Sequence, residues 1–436
     1  AMPRNSRAAS RPMVTHGLQS GDIGAHHGVI WARADRPAPA VFEVATNEGF
    51  RDARALPYAD VLPENDYVAK LVADNLPAGQ DIFYRVTFSD LTDVNAISGP
   101  VSGRFRTAPS DLRDVSPPWS GDTGGQGSGI DESRGGMKAY PTMLNHRPDF
   151  FIHCGDTVYA DGPLNAEVDL PDGTKWKNLM IDEKAKVAET LAEFRGQYKY
   201  NLMDKHVLAF NAQVPMLAQW DDHEVTNNWS DSKVLGDAYT EKNVRLLAAR
   251  AARAFHEFMP IAREQGRVYR KVSYGPRLDV FFIDMRRYRG PNGDNLETAP
   301  GASTVFLGRD QIEWLKRALL ASKATWKVIA ADMPLGLLVY NDSQNKKGFE
   351  GIANNEPGAP KGREMEFAEL LSFIKSANIR NTVWLTADVH YTAAHYYDPN
   401  KAAFQDFDPF WEFVSGPIHA GTWAPGRLDN TFGPRA

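Results

Sequence analysis

The sequence predicts a mixed α/β (α+β) protein in which a β-sandwich precedes a larger, layered α/β domain. Its length of 436 residues exceeds one ordinary core, because a domain contains about 150 residues. Short alternating apolar runs fill the first part of the chain, and apolar runs alternate with helical stretches in the rest. We therefore expect a disordered tail over residues 1–11, a β-sandwich over residues 12–109 and a second domain over residues 110–436.

Four runs in the N-terminal segment alternate apolar and polar side chains, as half-buried strands do. They lie at residues 29–31, 41–44, 67–71 and 82–86. The turn-forming residues 76–80 separate the last two runs. This pattern resembles a fibronectin-type or immunoglobulin-like module. The segment contains no cluster of ligand-type side chains, so we expect it to serve in packing or positioning.

The second segment combines buried strands with amphipathic helices. Five apolar runs predict strands at residues 150–153, 214–218, 278–283, 326–330 and 382–386. Helical spacing predicts helices over residues 182–201, 240–258 and 362–374. Asp182 is the predicted N-cap of the first of these helices. Residues 341–360 are rich in Asn, Gly, Lys and Pro, which predicts an exposed loop.

Composition narrows the classes of partner and of metal site. A net charge of −6 provides no overall basic field, so we expect no specificity for nucleic acid. No run of 18 apolar residues occurs, so we expect no integral membrane segment. The single cysteine, Cys154, excludes an internal disulfide and a thiolate-rich cluster, and it reads as a small core residue. Any metal would therefore need oxygen and nitrogen ligands.

Four polar clusters follow predicted strands, where α/β folds gather their ligands. They occupy residues 121–124, 155–159, 220–224 and 387–391. Several carboxylates brought together repel one another, and burying them unpaired is costly, so the cluster needs cations. Two multivalent metals can bind one phosphoryl group and activate a water for in-line attack on phosphorus. The residues therefore predict a phosphoester hydrolase with a two-metal site.

The candidate ligands are carboxylates, one phenol and one imidazole: Asp122, Asp156, Tyr159, Asp222, Asp388 and His390. Asp221 either ligates a metal or orients the neighbouring ligands without touching the metal itself. Carboxylate and imidazole ligands suit magnesium, calcium, manganese, iron or zinc, whereas a tyrosinate favours a strong Lewis acid such as ferric iron. Two prolines at residues 117 and 118 precede the first cluster, so the strand that carries Asp122 must start late or lie at a sheet edge.

The order Asp-x-Gly, Gly-Asp-x-x-Tyr, Asp-His-Glu and Asp-x-His resembles the signature of calcineurin-like metallophosphoesterases and their purple acid phosphatase branch. Asp222 stands where Asn is usual, and Asp388 stands where the first His of the last motif is usual. These departures, together with residues 220–229, resemble the alkaline phosphatase D (PhoD-like) family over nearly the whole chain. The resemblance implies an N-terminal fibronectin- or immunoglobulin-like β-sandwich followed by a four-layer αββα metallophosphoesterase domain.

The same resemblance assigns metals to the candidate ligands. Asp156 would bridge two ions. The remaining ligands would divide between ferric iron, held by Asp122, Tyr159 and His390, and calcium, held by Asp222 and Asp388. Family members can supply a cysteine thiolate to the iron at the first motif, whereas this chain has Asp122 there. Zinc, manganese and magnesium therefore remain alternatives.

Further residues are candidates for contact with the substrate. By resemblance, His223 either contacts the phosphoryl group or protonates the leaving oxygen, beside Asp222. Asn228 either orients phosphate oxygens or closes a turn. Arg289, like Arg286 and Arg287, follows a strand, so its guanidinium either grips the phosphate or is a surface charge.

The predicted activity is hydrolysis of small phosphate monoesters and diesters. Two alternatives remain open: a phosphodiesterase directed at phospholipid or cell-wall polymer, and an inactive polymer-binding relative. The resemblance implies a periplasmic or extracellular protein, and relatives are expected to continue beyond Ala436. The sequence leaves the oligomeric state and the natural substrate open.

Overall fold

Two central sheets form from the apolar runs of the chain. The structure, a computed structural model, describes residues 11–262, 266–356 and 358–436, so the predicted tail, apart from Arg11, lies outside the described residues. The first sheet has six strands, in the spatial order β6 (Val68–Ala73), β2 (Gly28–Ala34), β1 (Val14–Gly21), β13 (Met216–Ala218), β10 (Phe151–His153) and β9 (Trp119–Ser120). Its N-terminal strands are antiparallel, whereas β1, β13, β10 and β9 run parallel.

The second central sheet has seven strands and a parallel centre. Their spatial order is β14 (Arg270–Tyr274), β15 (Leu278–Phe282), β16 (Trp326–Ala330), β19 (Thr382–Thr386), β21 (Phe410–Val414), β20 (Ala393–Tyr397) and β22 (Pro434–Arg435). Strands β15, β16, β19 and β21 are mutually parallel. Because the carboxyl ends of parallel strands lie at one edge, the loops that follow them meet there.

The remaining strands form a third sheet and two hairpins. The third sheet contains β4 (Arg54–Ala55), β3 (Ala38–Ala45), β7 (Asp81–Phe88) and β8 (Val101–Arg106), and β5 (Ala59–Val61) pairs with β3. The hairpins pair β11 (Glu167–Asp169) with β12 (Lys175–Lys177), and β17 (Tyr340–Asp342) with β18 (Lys347–Phe349). The third sheet packs on β1, β2 and β6 and completes the predicted β-sandwich.

Helices cover the outer faces of the two central sheets. The first sheet carries α1 (Ala139–Asn145), α2 (Leu191–Asn201), α3 (Lys205–Asn211) and α4 (Val244–Phe258), and the second carries α5 (Arg309–Ala321) and α6 (Glu364–Ser376). Along β10, Phe151 packs toward the helices, while its neighbour Ile152 packs between the sheets with Leu217 and Val280. This alternation produces four layers in the order helix, sheet, sheet, helix, which confirms the predicted fold class.

One apolar core joins the sandwich to the space between the central sheets. Ile30 and Phe42 from the sandwich belong to the same buried cluster as Cys154 and Leu385. Cys154 is fully buried there, as interpreted from the sequence. The division into residues 12–109 and 110–436 stays a prediction.

Most element positions follow the predictions, but two assignments are wrong. Asp182 opens a short 3₁₀ turn, and α2 begins later, capped by Thr190, whose hydroxyl accepts from the Glu193 backbone N–H. The Glu193 carboxylate accepts from the Thr190 backbone N–H in return, and this capping box fixes the start of the helix. The predicted exposed loop over residues 341–360 contains part of a hairpin and a buried stretch over residues 350–354.

The prediction for the strand that carries Asp122 is confirmed. Strand β9 is two residues long, starts directly after Pro118 and lies at the edge of its sheet, where it pairs with β10.

A prediction concerns the contact where β1 meets β13. These strands pair through Gly21 and Met216, and a Cβ at Gly21 would overlap the backbone carbonyl oxygens of Met216 and Pro260. We expect Gly21→Ala to lower the free energy of unfolding by about 1–3 kcal/mol, because the added methyl fits only if β13 or the segment after α4 moves. Gly99→Ala is the control, since no described atom lies within 4 Å of its Cβ position. Equal denaturation midpoints for both variants would contradict this account.

Candidate metal centre

Strained backbone marks the loops that follow the central strands. The residues other than glycine with positive φ there include Asp122 at 65°, Asp156 at 52°, Asn228 at 52°, Asp388 at 65° and His390 at 56°. This left-handed conformation is uncommon for residues with a side chain, and it concentrates at functional sites. The strained positions include most of the predicted metal ligands.

Three of the predicted ligands form one buried group. The phenol oxygen of Tyr159 lies 3.0 Å from His390 Nε2 and 3.4 Å from Asp122 Oδ1, and His390 Nε2 lies 3.2 Å from Asp122 Oδ1. The Gly421 carbonyl contacts His390 Nδ1. Because a carbonyl only accepts, Nδ1 carries the proton and Nε2 presents its lone pair to the group. This is the tautomer that a metal ligand requires.

Asp156 lies between this group and a second one. Its carboxylate is within 4.8 Å of ligand atoms of Asp122 and His390, and also within 4.8 Å of ligand atoms of Asp222 and His223. Its Oδ1 accepts a 3.1 Å hydrogen bond from the His223 backbone N–H. The structure therefore places Asp156 beside two groups of candidate ligands, and its bridging role stays a prediction.

A third group, which shares Asp222 with the second, consists of carboxylates. Asp221, Asp222 and Asp388 bring oxygen atoms within 4.8 Å of one another. Asp222 Oδ2 accepts the backbone N–H of Asn228, whereas Asp222 Oδ1 is buried without a hydrogen-bond partner among the described residues. Asp122 Oδ2 in the first group has the same property. Buried carboxylate oxygens without partners are what a cation site requires, so the donor set fits metal ions.

The pKa shifts of the clustered residues also indicate a cation site. Burial raises the pKa of Asp156, of Asp388 and of the Tyr159 phenol well above their usual ranges. Burial also opposes ionisation of Asp222, but the charges of His223 and Arg286 outweigh it and lower that pKa to about 2. The cluster thus resists full ionisation without added positive charge. Multivalent cations would supply that charge, and the described residues can hold them.

Arg286 is an internal counter-charge for these carboxylates. Its fully buried guanidinium lies 2.5 Å from Asp221, 2.9 Å from Asp332 and 3.5 Å from Asp388, and it also contacts Glu350. Arg286 is thus committed to protein carboxylates and is not available to substrate. Arg286 holds Asp221 Oδ1, whereas Asp221 Oδ2 is buried without a hydrogen-bond partner among the described residues, so both an orienting role and ligation are compatible with the position of Asp221.

Arg289 does not line the cavity that opens onto the carboxylates, contrary to the prediction. Its guanidinium is buried, donates to the backbone carbonyl of Glu350 and lies 4.5 Å from the Phe306 ring centroid. The physical reason is that the chain after β15 turns into the interior, so only Arg287 reaches the surface. The predicted grip of Arg289 on phosphate is therefore not supported.

His223 stands beside the ligands with one ring nitrogen fixed. Its Nδ1 lies 2.7 Å from Asp161 Oδ1, and its ring lies 4.3 Å from the Tyr159 ring between centroids. Because the Asp161 carboxylate accepts, Nδ1 carries a proton. Burial opposes the charged imidazolium, but Asp161 and Asp222 outweigh it and raise the pKa of His223. Nε2 is 3.8 Å from Asp222 Oδ1.

Sequence reasoning missed Asp161 and Glu224 as supporting residues. Asp161 Oδ2 also accepts the Asn227 backbone N–H at 2.7 Å. Glu224 accepts both the backbone N–H and the hydroxyl of Thr157 at 2.6 Å and the backbone N–H of Asp221 at 2.8 Å. It thereby ties the loop after β10 to the loop after β13. Glu224 is the last residue of the Asp-His-Glu motif, and Asp161 lies two residues after the Gly-Asp-x-x-Tyr motif, so their positions were the available signal.

A cavity of about 340 Å³ opens onto the carboxylate group. Its polar lining includes Asp222, His223, Asn227, Asn228, Asp388 and His390, together with Asn341, Ser343 and Glu350. Asn228 donates its side-chain amide to the Asn341 carbonyl at 3.1 Å, so it both lines the cavity and fixes a loop. A phosphoryl group in this cavity would lie against the candidate ligands and His223.

Comparison with known proteins identifies the relatives of this chain. The sequence model of a family described as PhoD-like phosphatase matches residues 124–434, and that of its N-terminal domain matches residues 1–109. The chain is 27% identical over 433 residues to alkaline phosphatase D of Bacillus subtilis (strain 168), which covers 93% of this chain and 69% of that protein.

Two solved structures share the fold. The structure of PhoD superposes with a TM-score of 0.73 at 24% identity, covering 95% of this chain and 78% of the other. The structure of the purple acid phosphatase PPD1 from yellow lupin seeds superposes with a TM-score of 0.62 at 12% identity, covering 98% of this chain and 68% of the other. At these identities the likeness shows the fold alone, and it agrees with the predicted metallophosphoesterase architecture. Within the described residues, no helix is both long and apolar enough to cross a membrane.

A prediction follows from the position of Arg286. In metal-free protein at neutral pH, Arg286→Met should lower the free energy of unfolding by about 3–5 kcal/mol, because it leaves buried carboxylates without their counter-charge. Arg309→Met is the matched control: Arg309 also pairs with two carboxylates, Glu313 and Glu369, but is 66% exposed, and exposed pairs contribute little. If both variants unfold at the same denaturant concentration, Arg286 is not a buried counter-charge.

Proposed function

The chain belongs to the PhoD-like phosphatase family and is a metal-dependent phosphoric ester hydrolase, and we propose that it acts on small phosphate monoesters and diesters. The observation that carries this proposal is the position of Asp156. Its carboxylate is shared by two groups of potential ligands, and one of them opens onto a cavity. The family membership and the complete ligand set argue against an inactive polymer-binding relative.

We propose that two ions share Asp156. The first site would use Asp122, Tyr159 and His390, and the second would use Asp222 and Asp388. A tyrosinate ligand favours ferric iron, because a strong Lewis acid is needed to displace the proton of a buried phenol. Ligands that are all oxygen favour calcium at the second site, and zinc, manganese and magnesium remain alternatives. Bound metals would polarise the phosphoryl oxygens and activate a water nucleophile.

His223 is the proposed proton donor of the reaction. Its Nδ1 proton is held by Asp161 at 2.7 Å, so Nε2 is the ring nitrogen left to face a leaving oxygen in the cavity. The charges of Asp161 and Asp222 favour the imidazolium that donation requires. A contact with a phosphoryl oxygen is the alternative role. Asn228 would hold the phosphate from the same wall.

Export to the periplasm or the cell exterior is a further part of the proposal, and it rests on the family resemblance. Expression from the native gene in its own host, followed by assay of cell fractions, tests it. Activity confined to the cytosol would contradict export.

The activity itself is tested with p-nitrophenyl phosphate and bis-p-nitrophenyl phosphate. We expect metal-loaded protein to hydrolyse both esters and to lose that activity on chelation, with recovery when metal is returned. Protein that contains metal but hydrolyses neither ester would contradict the proposed function. Hydrolysis unaffected by complete removal of metal would contradict the proposed site.

A prediction separates chemistry from metal binding at His223. His223→Ala should retain its metals but lower kcat by roughly 10²- to 10⁴-fold, the contribution typical of a general acid. The loss should be greater for an alkyl phosphate than for p-nitrophenyl phosphate, because an alkoxide needs a proton more than p-nitrophenolate does. His146→Ala, which removes an exposed imidazole at the C-cap of α1, is the control. Equal losses on both esters would favour contact with the phosphoryl oxygen, and loss of metal would make His223 a ligand.

A further inference from the structure

We propose that the apolar wall of the cavity binds the alcohol part of the ester, so that the preferred substrates are phosphate esters of apolar alkyl or aryl alcohols. This inference rests on the proposed function, because it requires the phosphoryl group to lie against the metal centre. It adds a binding subsite and a class of leaving group to that function.

Two adjacent chain segments form the apolar wall. Leu337, Leu338, Val339 and Tyr340 line the cavity from one segment, and Trp423 lines it from the other. The backbones of these segments are paired, since the Leu338 N–H donates to the Arg427 carbonyl at 2.9 Å and Leu337 forms an isolated bridge with Leu428. The wall is thus held by backbone hydrogen bonds on both sides.

The wall adjoins the proposed phosphoryl position through Trp423. The Trp423 ring stacks on the His390 ring, with centroids 4.4 Å apart and planes 14° apart, and its backbone N–H donates to the His390 carbonyl at 3.1 Å. Even so, Trp423 is 54% exposed. One face covers a candidate metal ligand, and the other side of the indole is open to a ligand. An aryl or alkyl group placed there would remove apolar surface from water.

The distribution of polar groups gives the ester one orientation. The wall of Asp222, Asp388 and His390 supplies the site for the phosphoryl group. The side chains of Leu337, Leu338 and Val339 offer no hydrogen-bonding group, and the polar side chains of Asn341 and Ser343 follow them at the end of the same segment. A polyhydroxy alcohol facing this wall would lose hydrogen bonds to water without replacement. The cavity volume of about 340 Å³ lies within the range of small-molecule sites. An alcohol of moderate size therefore fits.

Inhibition by a series of alkylphosphonates measures this subsite apart from leaving-group chemistry. Methyl-, butyl- and hexylphosphonate share one head group and have no ester bond to hydrolyse. We expect Ki to fall with chain length, by at most roughly fourfold for each methylene that is fully buried. The polar analogue 3-hydroxypropylphosphonate should bind more weakly than butylphosphonate. Equal Ki values across the series would overturn the proposal.

Two near-isosteric variants locate the effect on the wall. Leu338→Asn and Val339→Thr should flatten the dependence of Ki on chain length while leaving the Ki of methylphosphonate unchanged. Leu320→Asn, on the exposed side of α5, is the control, because Leu320 is 59% exposed and does not line the cavity. An unchanged chain-length dependence in both wall variants would overturn the assignment of these residues.

The outcomes distinguish this inference from the function on which it rests. If the protein neither hydrolyses p-nitrophenyl phosphate nor binds methylphosphonate, the proposed function fails and the subsite fails with it. If it does both, but longer alkyl chains bind no better, only the subsite is contradicted. Trp423→Ala should weaken the binding of hexylphosphonate more than that of methylphosphonate, at unchanged metal content. Equal weakening of both inhibitors would mean that Trp423 supports His390 and contributes nothing to the subsite.

Discussion

Mutual repulsion among buried carboxylates is the constraint on which the rest of this structure depends. Asp122, Asp156, Asp222 and Asp388 lie within one small volume, where burial raises the pKa of two of them. Such a cluster persists only where positive charge compensates it. Arg286 provides one fixed charge from the interior, and Asp122 Oδ2 and Asp222 Oδ1 stay buried without a hydrogen-bond partner among the described residues. The positive φ values at Asp122, Asp156 and Asp388 are the conformational cost of that convergence.

The site depends on both central sheets. The first sheet delivers Asp122, Asp156 and Asp222 from the ends of β9, β10 and β13, and the second delivers Asp388 and His390 from the end of β19. The relative position of the two ligand groups is therefore fixed by the apolar core between the sheets. That core extends into the N-terminal sandwich, so the sandwich packs against the scaffold of the site although it contributes no candidate ligand. Glu224 and Arg286 then lock the loops together by hydrogen bonds and charge.

The sequence predicted the strands and the ligand motifs well because both are local patterns. Apolar runs marked β16 and β19 at their observed bounds, and Asp156 and Tyr159 belong to one short motif. The roles of Arg286 and Arg289 were not predictable in this way. Their partners, among them Asp221 and Glu350, lie far along the chain, so only the folded arrangement shows which guanidinium meets a carboxylate. The late start of α2 was missed because apolar spacing continued through a segment that is not helical.

The central claim is that Asp156 is shared by two metal ions. Anomalous diffraction from crystals of the metal-loaded protein, combined with elemental analysis of the same preparation, tests it most directly. The account predicts two metal ions per chain, with two anomalous peaks on either side of the Asp156 carboxylate. One peak should lie beside Tyr159 and the other beside Asp388. A single ion at this site, or peaks that leave Asp156 uncoordinated, would contradict it.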